Sequence, residues 1–262
     1  MVHRVRRTVS RGYGISYEDA GRGFPVALIN GFTGRAAEWR DLGIVDRLAS
    51  SHRVLSIDSL GHGLSDGPHE WEAYLAPAIS DDIVAALDDA GIERTALWGY
   101  SRGAWMAAMI AERHPDRVAS LIAGGSDLVR LPDPAVPATT EALCRGNWDA
   151  FWDAFGEVSD RDRAEMLLCD PRAIGAVDLG SRRSSYVIDL ARITAPTLLY
   201  CGGGDEPEAL EGTAKALGVP VQVVGDSGHF ETFAEVDSTV PLVLAHLERA
   251  MGPGDPSVSA PI

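Results

Sequence analysis

The sequence predicts an α/β architecture: a mostly parallel eight-stranded sheet with helices on both faces and a small helical lid inserted after the sixth strand. Three observations predict it. Short β-rich runs recur along the chain, each followed by a helical pattern, and such alternation builds parallel sheets. The pentapeptide Gly99-Tyr100-Ser101-Arg102-Gly103 joins the apolar run Thr95 to Trp98 to the apolar stretch Ala104 to Ala111, giving a strand, a sharp turn and a helix in immediate succession. Between Leu131 and Ile193 the alternation stops, and a helical, aromatic-rich segment takes its place.

Taken in order, Val5 to Val9 and Gly14 to Tyr17 read as a leading hairpin at an antiparallel edge. The six runs that follow are Val26 to Ile29, Val54 to Ile57, Thr95 to Trp98, Val118 to Ala123, Thr197 to Cys201 and Val221 to Val224. Ile79, Ile83, Leu87 and Ala90 recur at helical spacing and stop at Gly91, a residue suited to the left-handed conformation that closes many helices. The helix after Ser101 is expected to end near His114, because Pro115 disfavours helical geometry in its predecessor. In the insertion, Trp148, Phe151, Trp152 and Phe155 fall at i, i+3, i+4 and i+7, one face of an amphipathic helix. A compact helix is expected over Pro207 to Leu217, and Val240, Val243, Leu244 and Leu247 give a last helix its apolar face. The chain thus divides into a core (1–130 and 191–251), a lid (131–190) and a flexible tail (252–262) with little to pack.

Composition narrows the partners. A chain of 262 residues with 45% hydrophobic content can bury one sizeable core. Its net charge of −15 opposes binding to nucleic acid or to an anionic membrane, and a small neutral or apolar substrate fits better. Arg4, Arg6, Arg7 and Arg11 are not followed by the apolar run of a secretory signal, and no stretch approaches a membrane span. Cys144, Cys169 and Cys201 are odd in number and widely spaced, which disfavours a disulfide framework or a zinc site. The expected setting is cytoplasmic, with a homodimer left open.

The chemistry centres on Ser101. In a G-x-S-x-G elbow the glycines make room where strand and helix crowd the turn, and the serine hydroxyl is pushed out of the packed layers. A hydroxyl is a weak nucleophile at neutral pH, so the elbow calls for a histidine base and a carboxylate orienter. In strand-turn-helix serine hydrolases the order is serine, acid, histidine, and Asp205 and His229 satisfy it, each just beyond the C-terminal end of a predicted strand. Asp127, after the sixth strand, is the alternative acid; failing that role, it starts the lid or caps its first helix. His114, His246, His3 and His52 are weaker bases, His246 because it sits in the final surface helix. Acyl transfer also needs donors for a developing oxyanion. The backbone N–H of Arg102 and that of Phe32, in Asn30-Gly31-Phe32-Thr33-Gly34, are the expected pair.

His62 with Asp58, Asp66 and His69 lacks metal-ligand spacing and reads as a hydrogen-bonded turn, and Gly202-Gly203-Gly204 lacks the lysine of a phosphate loop. Neither a metal nor an organic cofactor is expected. The side chain of Arg102 either makes a structural ion pair or binds a substrate carboxylate, a role that Arg182 and Arg183 share as candidates. Trp148, Phe151, Trp152 and Phe155 are candidates for the substrate pocket over Ser101.

These pieces together resemble the α/β-hydrolase family from about Val5 to Ala250. The likeness rests on Asn30-Gly31-Phe32, Asp58-Ser59-Leu60-Gly61-His62-Gly63-Leu64-Ser65, Gly99 to Gly103, Gly202 to Asp205 and Gly228-His229, in the expected order. Two departures stand out: Asn30-Gly31 replaces the more frequent His-Gly, and the spacing from Asp205 to His229 is short. The resemblance implies a serine hydrolase acting on a small, largely apolar carboxylic ester or lactone through an acyl-enzyme. It leaves open carbon–carbon bond hydrolysis of the meta-cleavage-product type, and a non-hydrolytic receptor or cofactor-free oxygenase.

Overall fold

A computed structural model describes residues 4–129, 131–133, 135–156 and 158–251. The tail expected over 252–262 lies outside the described residues. The N-terminal hairpin is β1 (Arg4–Ser10) and β2 (Tyr13–Gly21), followed by β3 (Phe24–Ile29), α1 (Ala36–Asp41), α2 (Ile44–Leu48) and β4 (His52–Ile57). Next come α3 (Ala78–Asp89), β5 (Thr95–Tyr100), α4 (Arg102–Arg113) and β6 (Val118–Gly124). The segment between β6 and β7 is helical: α5 (Ala138–Cys144), α6 (Trp148–Phe155), α7 (Asp160–Met166) and α8 (Pro171–Arg183). The chain then returns to the sheet through β7 (Thr197–Cys201), α9 (Glu211–Leu217), β8 (Val221–Val223), α10 (His229–Ala234) and α11 (Val236–Met251).

The eight strands lie in the order β1-β2-β4-β3-β5-β6-β7-β8. β1 and β2 pair antiparallel, β2 joins β4 antiparallel, and every later pairing is parallel. The hairpin therefore forms the antiparallel edge, as expected. Its second strand is longer than Gly14 to Tyr17 because Glu18 and Asp19 continue it, each neutralised by an arginine: Arg40 to Glu18 at 2.6 Å and Arg53 to Asp19 at 2.8 Å. One apolar cluster packs α3 and α4 against one sheet face; a second packs α2 and α11 against the other. Trp105 belongs to the first and is fully buried. His246 departs from expectation: it is buried, with Nε2 2.8 Å from Ser120 Oγ, because α11 lies on β6 rather than on the surface. The stretch Pro207 to Leu217 is a 3-10 turn, Pro207–Leu210, leading into α9.

The parallel strands bring their C-terminal ends to one rim, and the loops after β3, β5, β7 and β8 meet there. Ser101 sits between β5 and α4 at φ 54° and ψ −122°, a sparsely populated conformation for a residue with a side chain. Packing enforces it. A Cβ on Gly99 would lie 2.2 Å from the Gly103 carbonyl oxygen, and one on Gly103 would lie 2.1 Å from that of Ile29. Only glycine lets strand and helix pass this closely.

Candidate active site

Asp205 and His229 follow β7 and β8, and their side chains meet. His229 Nδ1 donates to Asp205 Oδ2 at 2.8 Å. A neutral imidazole with its proton on Nδ1 presents Nε2 as a lone-pair acceptor, which is the tautomer a general base needs. Tyr100 holds the same loop: its hydroxyl donates to the His229 carbonyl oxygen at 2.5 Å, and the two ring centroids are 5.2 Å apart.

Asp127 is elsewhere. Its carboxylate accepts from the Thr213 hydroxyl and, at 3.3 Å, from the Val129 N–H, so it closes the turn that leads into the insertion. Ser101 and His229 line one cavity of about 320 Å³, although no hydrogen bond joins the Ser101 hydroxyl to His229 or to any other described residue.

The floor of that cavity is the loop after β3, residues 31–34. Gly31 approaches the elbow so closely that a Cβ there would stand 3.3 Å from Ser101 Cβ. Three contacts fix the loop. Asp58 accepts from Ala36 N–H at 2.7 Å and Leu64 N–H at 3.0 Å, tying the loops after β3 and β4 together. Burial still raises its carboxyl above the ordinary range. His62 Nε2 lies 2.6 Å from the Phe32 carbonyl oxygen, and Nδ1 lies 3.1 Å from that of Leu60. A neutral ring has one N–H for two acceptors, and the shorter contact assigns it to Nε2. Burial, and then the neighbouring Arg102 cation, push the His62 pKa down to about 4. From the insertion, the Cys169 thiol donates to the Thr33 carbonyl at 3.2 Å, and Arg35 pairs with Glu165 of α7 at 2.6 Å.

Where the usual His-Gly is replaced, Asn30 Oδ1 accepts from Trp39 Nε1 at 2.8 Å, which fixes the orientation of the amide. Its Nδ2 is buried with no hydrogen-bond partner among the described residues.

The insertion supplies the roof. Phe151, Phe155 and Met166 line the cavity, whereas Trp148 and Trp152 do not. Two stripes of α6 account for this, since 148/152 and 151/155 are offset by roughly 60° around the helix. The tryptophans stack on each other 5.5 Å apart, and the Arg163 guanidinium lies 4.8 Å over the Trp152 ring. Phe230 and Phe233, which sequence reasoning left out although they adjoin His229, close the opposite wall. The acids Glu38, Asp162 and Glu165 were also missed.

None of the three arginines singled out lines the cavity. The Arg102 side chain is buried beside Ser181 of α8, Arg182 pairs with Asp178 and Asp133, and Arg183 lies over Trp71. His69 pairs with Asp170 and Asp66 accepts from Gly14 N–H, so the histidine–aspartate run after β4 is spent on separate contacts.

A family model described as the alpha/beta hydrolase fold matches residues 25–185, more than half of the chain. The chain belongs to the alpha/beta hydrolase fold family. Among curated relatives, the 2-hydroxymuconate semialdehyde hydrolase of Pseudomonas sp. (strain CF600) is 35% identical over 148 residues, 56% of this chain and 48% of that protein. The chain spans about half the length of the first curated relatives it matches. Among solved structures, the enol-lactonase from Burkholderia xenovorans LB400 matches with a TM-score of 0.78 at 19% identity, over 92% of this chain and 99% of that one. A thermophilic esterase from Thermogutta terrifontis matches with a TM-score of 0.74 at 23% identity, over 96% of this chain and 100% of that one. At these identities the two structures bear on the fold of this chain alone. Among its described residues, no helix is long and apolar enough to cross a membrane.

Proposed function

We propose that this chain is a serine hydrolase that cleaves a small, largely apolar carboxylic ester or lactone through an acyl-enzyme on Ser101. One observation carries the reading: His229 Nδ1 lies 2.8 Å from Asp205 Oδ2, an arrangement that leaves Nε2 of a neutral ring as the acceptor, and Ser101 lines the same cavity as that ring. Nucleophile–base contacts in enzymes commonly tighten only when substrate is held.

In this scheme Ser101 Oγ attacks the carbonyl carbon as its proton passes to His229 Nε2. Asp205 holds the ring and stabilises the imidazolium. The carbonyl oxygen becomes an anion between the N–H of Arg102 and that of Phe32, which forms none of the loop's backbone hydrogen bonds. Collapse breaks the carbon–oxygen bond, and the proton on His229 leaves with the alcohol. Water, deprotonated by His229, then attacks the acyl carbon and frees Ser101. The insertion acts as the lid, with Phe151 and Phe155 as its contribution to an apolar pocket. The three free cysteines and a small-molecule substrate fit a cytoplasmic setting.

A fluorophosphonate probe tests the nucleophile: the protein is labelled on Ser101 and the Ser101→Ala variant is not. Equal labelling of both would refute the assignment. A second reading, hydrolysis of a carbon–carbon bond in a meta-cleavage product, is favoured by the likeness to 2-hydroxymuconate semialdehyde hydrolase. Short p-nitrophenyl esters separate the two readings: rapid turnover supports ester chemistry, and inertness combined with turnover of a vinylogous diketone supports the other.

A further inference from the structure

The polar wall of the cavity is of one charge sign. Glu38 of α1 and Asp162 and Glu165 of α7 line it together with Ser101 and His229, and among the described residues no lysine or arginine does. The cations that pair with these acids are Arg35, at 2.6 Å from Glu165, and Arg161, at 3.6 Å from Glu38 and 3.9 Å from Asp162. Neither arginine is among the residues that line the cavity.

Glu38 is the acid least satisfied by its own fold. Its side chain is only 12% exposed, yet its carboxyl makes no hydrogen bond among the described residues. Asn30 Nδ2 is also buried without a partner among the described residues. Both groups crowd Gly34, whose missing Cβ would lie 2.9 Å from Asn30 Nδ2 and 3.2 Å from Glu38 Oε2. The wall thus carries a largely desolvated carboxylate with no hydrogen bond from the described residues. Phe32, Phe151, Phe155 and Phe230 line the same cavity. Carboxylates set among aromatic rings attract organic cations, through Coulomb attraction and through the negative face of each ring.

We infer that this cavity selects substrates bearing an organic ammonium group at the end remote from the reacting carbonyl, and rejects substrates bearing a carboxylate there. The inference deepens the serine-hydrolase reading and rests on it for the position of the carbonyl. A chain of net charge −15 supports the same sign of selection at the encounter stage.

Burial, with Glu165 next, pushes the Glu38 pKa up to about 7. The charged groups facing it are Glu165, Asp162 and Arg161 from α7 and Arg35 from its own loop. Preference for the cation therefore strengthens as pH rises from about 6 to about 8. Taken as a ratio between two substrates, it is independent of any pH effect common to both.

The test uses three p-nitrophenyl esters: the 4-(trimethylammonio)butanoate, its neutral isostere the 5,5-dimethylhexanoate, and the adipate monoester. At pH 8 the cationic ester is expected to exceed the neutral one in kcat/KM by about tenfold. The adipate ester is expected to fall below the neutral one by a similar factor. In Glu38→Gln the cationic-to-neutral ratio moves toward one, and Asp162→Asn gives the same readout if the first variant fails to fold. Equal rates for the cationic and neutral esters, or a preference for adipate, would overturn the inference. If wild type cleaves none of the three, the serine-hydrolase reading has failed, and the charge preference is then read on Ser101→Ala by thermal shift. A rise with tetraethylammonium but not with butyrate supports the inference; no rise, or a rise with butyrate alone, overturns it.

Discussion

Tyr100, the residue before Ser101 in the elbow, donates its hydroxyl hydrogen to the backbone carbonyl of His229 at 2.5 Å. The turn that carries the hydroxyl thus also holds the loop that carries the imidazole, and the two cannot drift apart without breaking this bond. Tyr100→Phe keeps the ring, which packs on His229, Phe233 and Tyr200, and removes only the bond. The expected result is a fall of about 2- to 10-fold in kcat with KM little changed. Steady-state kinetics with a p-nitrophenyl ester check it, and an unchanged kcat would dissociate the tyrosine from the histidine.

Asp205→Asn is expected to lower kcat by about 1,000-fold or more, since an asparagine there no longer holds the Nδ1–H tautomer or stabilises the imidazolium. Asp127→Asn, at a turn bonded to Thr213, is expected to stay within about threefold of wild type. Parallel turnover assays compare the two, and similar small losses in both would remove the acid from the proposed mechanism.

His62 makes the fold sensitive to acid. Its folded pKa of about 4 lies below the ordinary 6.5, so the unfolded chain binds a proton that the folded chain refuses. The contribution is fully present above pH 6.5 and is lost as pH falls toward about 4, up to roughly 3 kcal/mol. His62→Gln keeps a donor for the Phe32 carbonyl without titrating. Urea unfolding across that range is expected to show a flatter acid slope in the variant, and an identical slope would count against this account.

Glu38 acts in the opposite direction. Its folded pKa of about 7 lies above the ordinary 4.5, so the folded chain holds the proton more tightly, and stability is lost as pH rises through that window. Glu38→Gln is expected to gain stability relative to wild type between pH 4.5 and about 7, measured by chemical unfolding at a series of pH values. A constant difference across the window would mean that the carboxyl is already ionised at low pH.

Most of the sheet was legible because parallel strands buried on both faces, such as β5 and β6, are short apolar runs. The second half of β2 was not, because Glu18 and Asp19 look like a strand end until Arg40 and Arg53 arrive from elsewhere in the chain. Ser101, Asp205 and His229 stood out because each lies in the glycine-rich turn that follows a strand. The acids of the cavity wall gave no such signal. Glu38 lies on α1 and Glu165 on α7, so only tertiary folding brings them together. Likewise, the i, i+3, i+4, i+7 pattern marked one face of α6 but could not divide it into the phenylalanines that line the cavity and the tryptophans that do not.

The bond from Cys169 to the Thr33 carbonyl and the Arg35–Glu165 pair tie the helical insertion to the strip of main chain that borders Ser101. Evolution or an engineer exchanging that insertion for another would alter speed along with taste. A swapped variant with a new substrate range needs its grip on residues 33 and 35 rebuilt before its slowness can be blamed on poor fit.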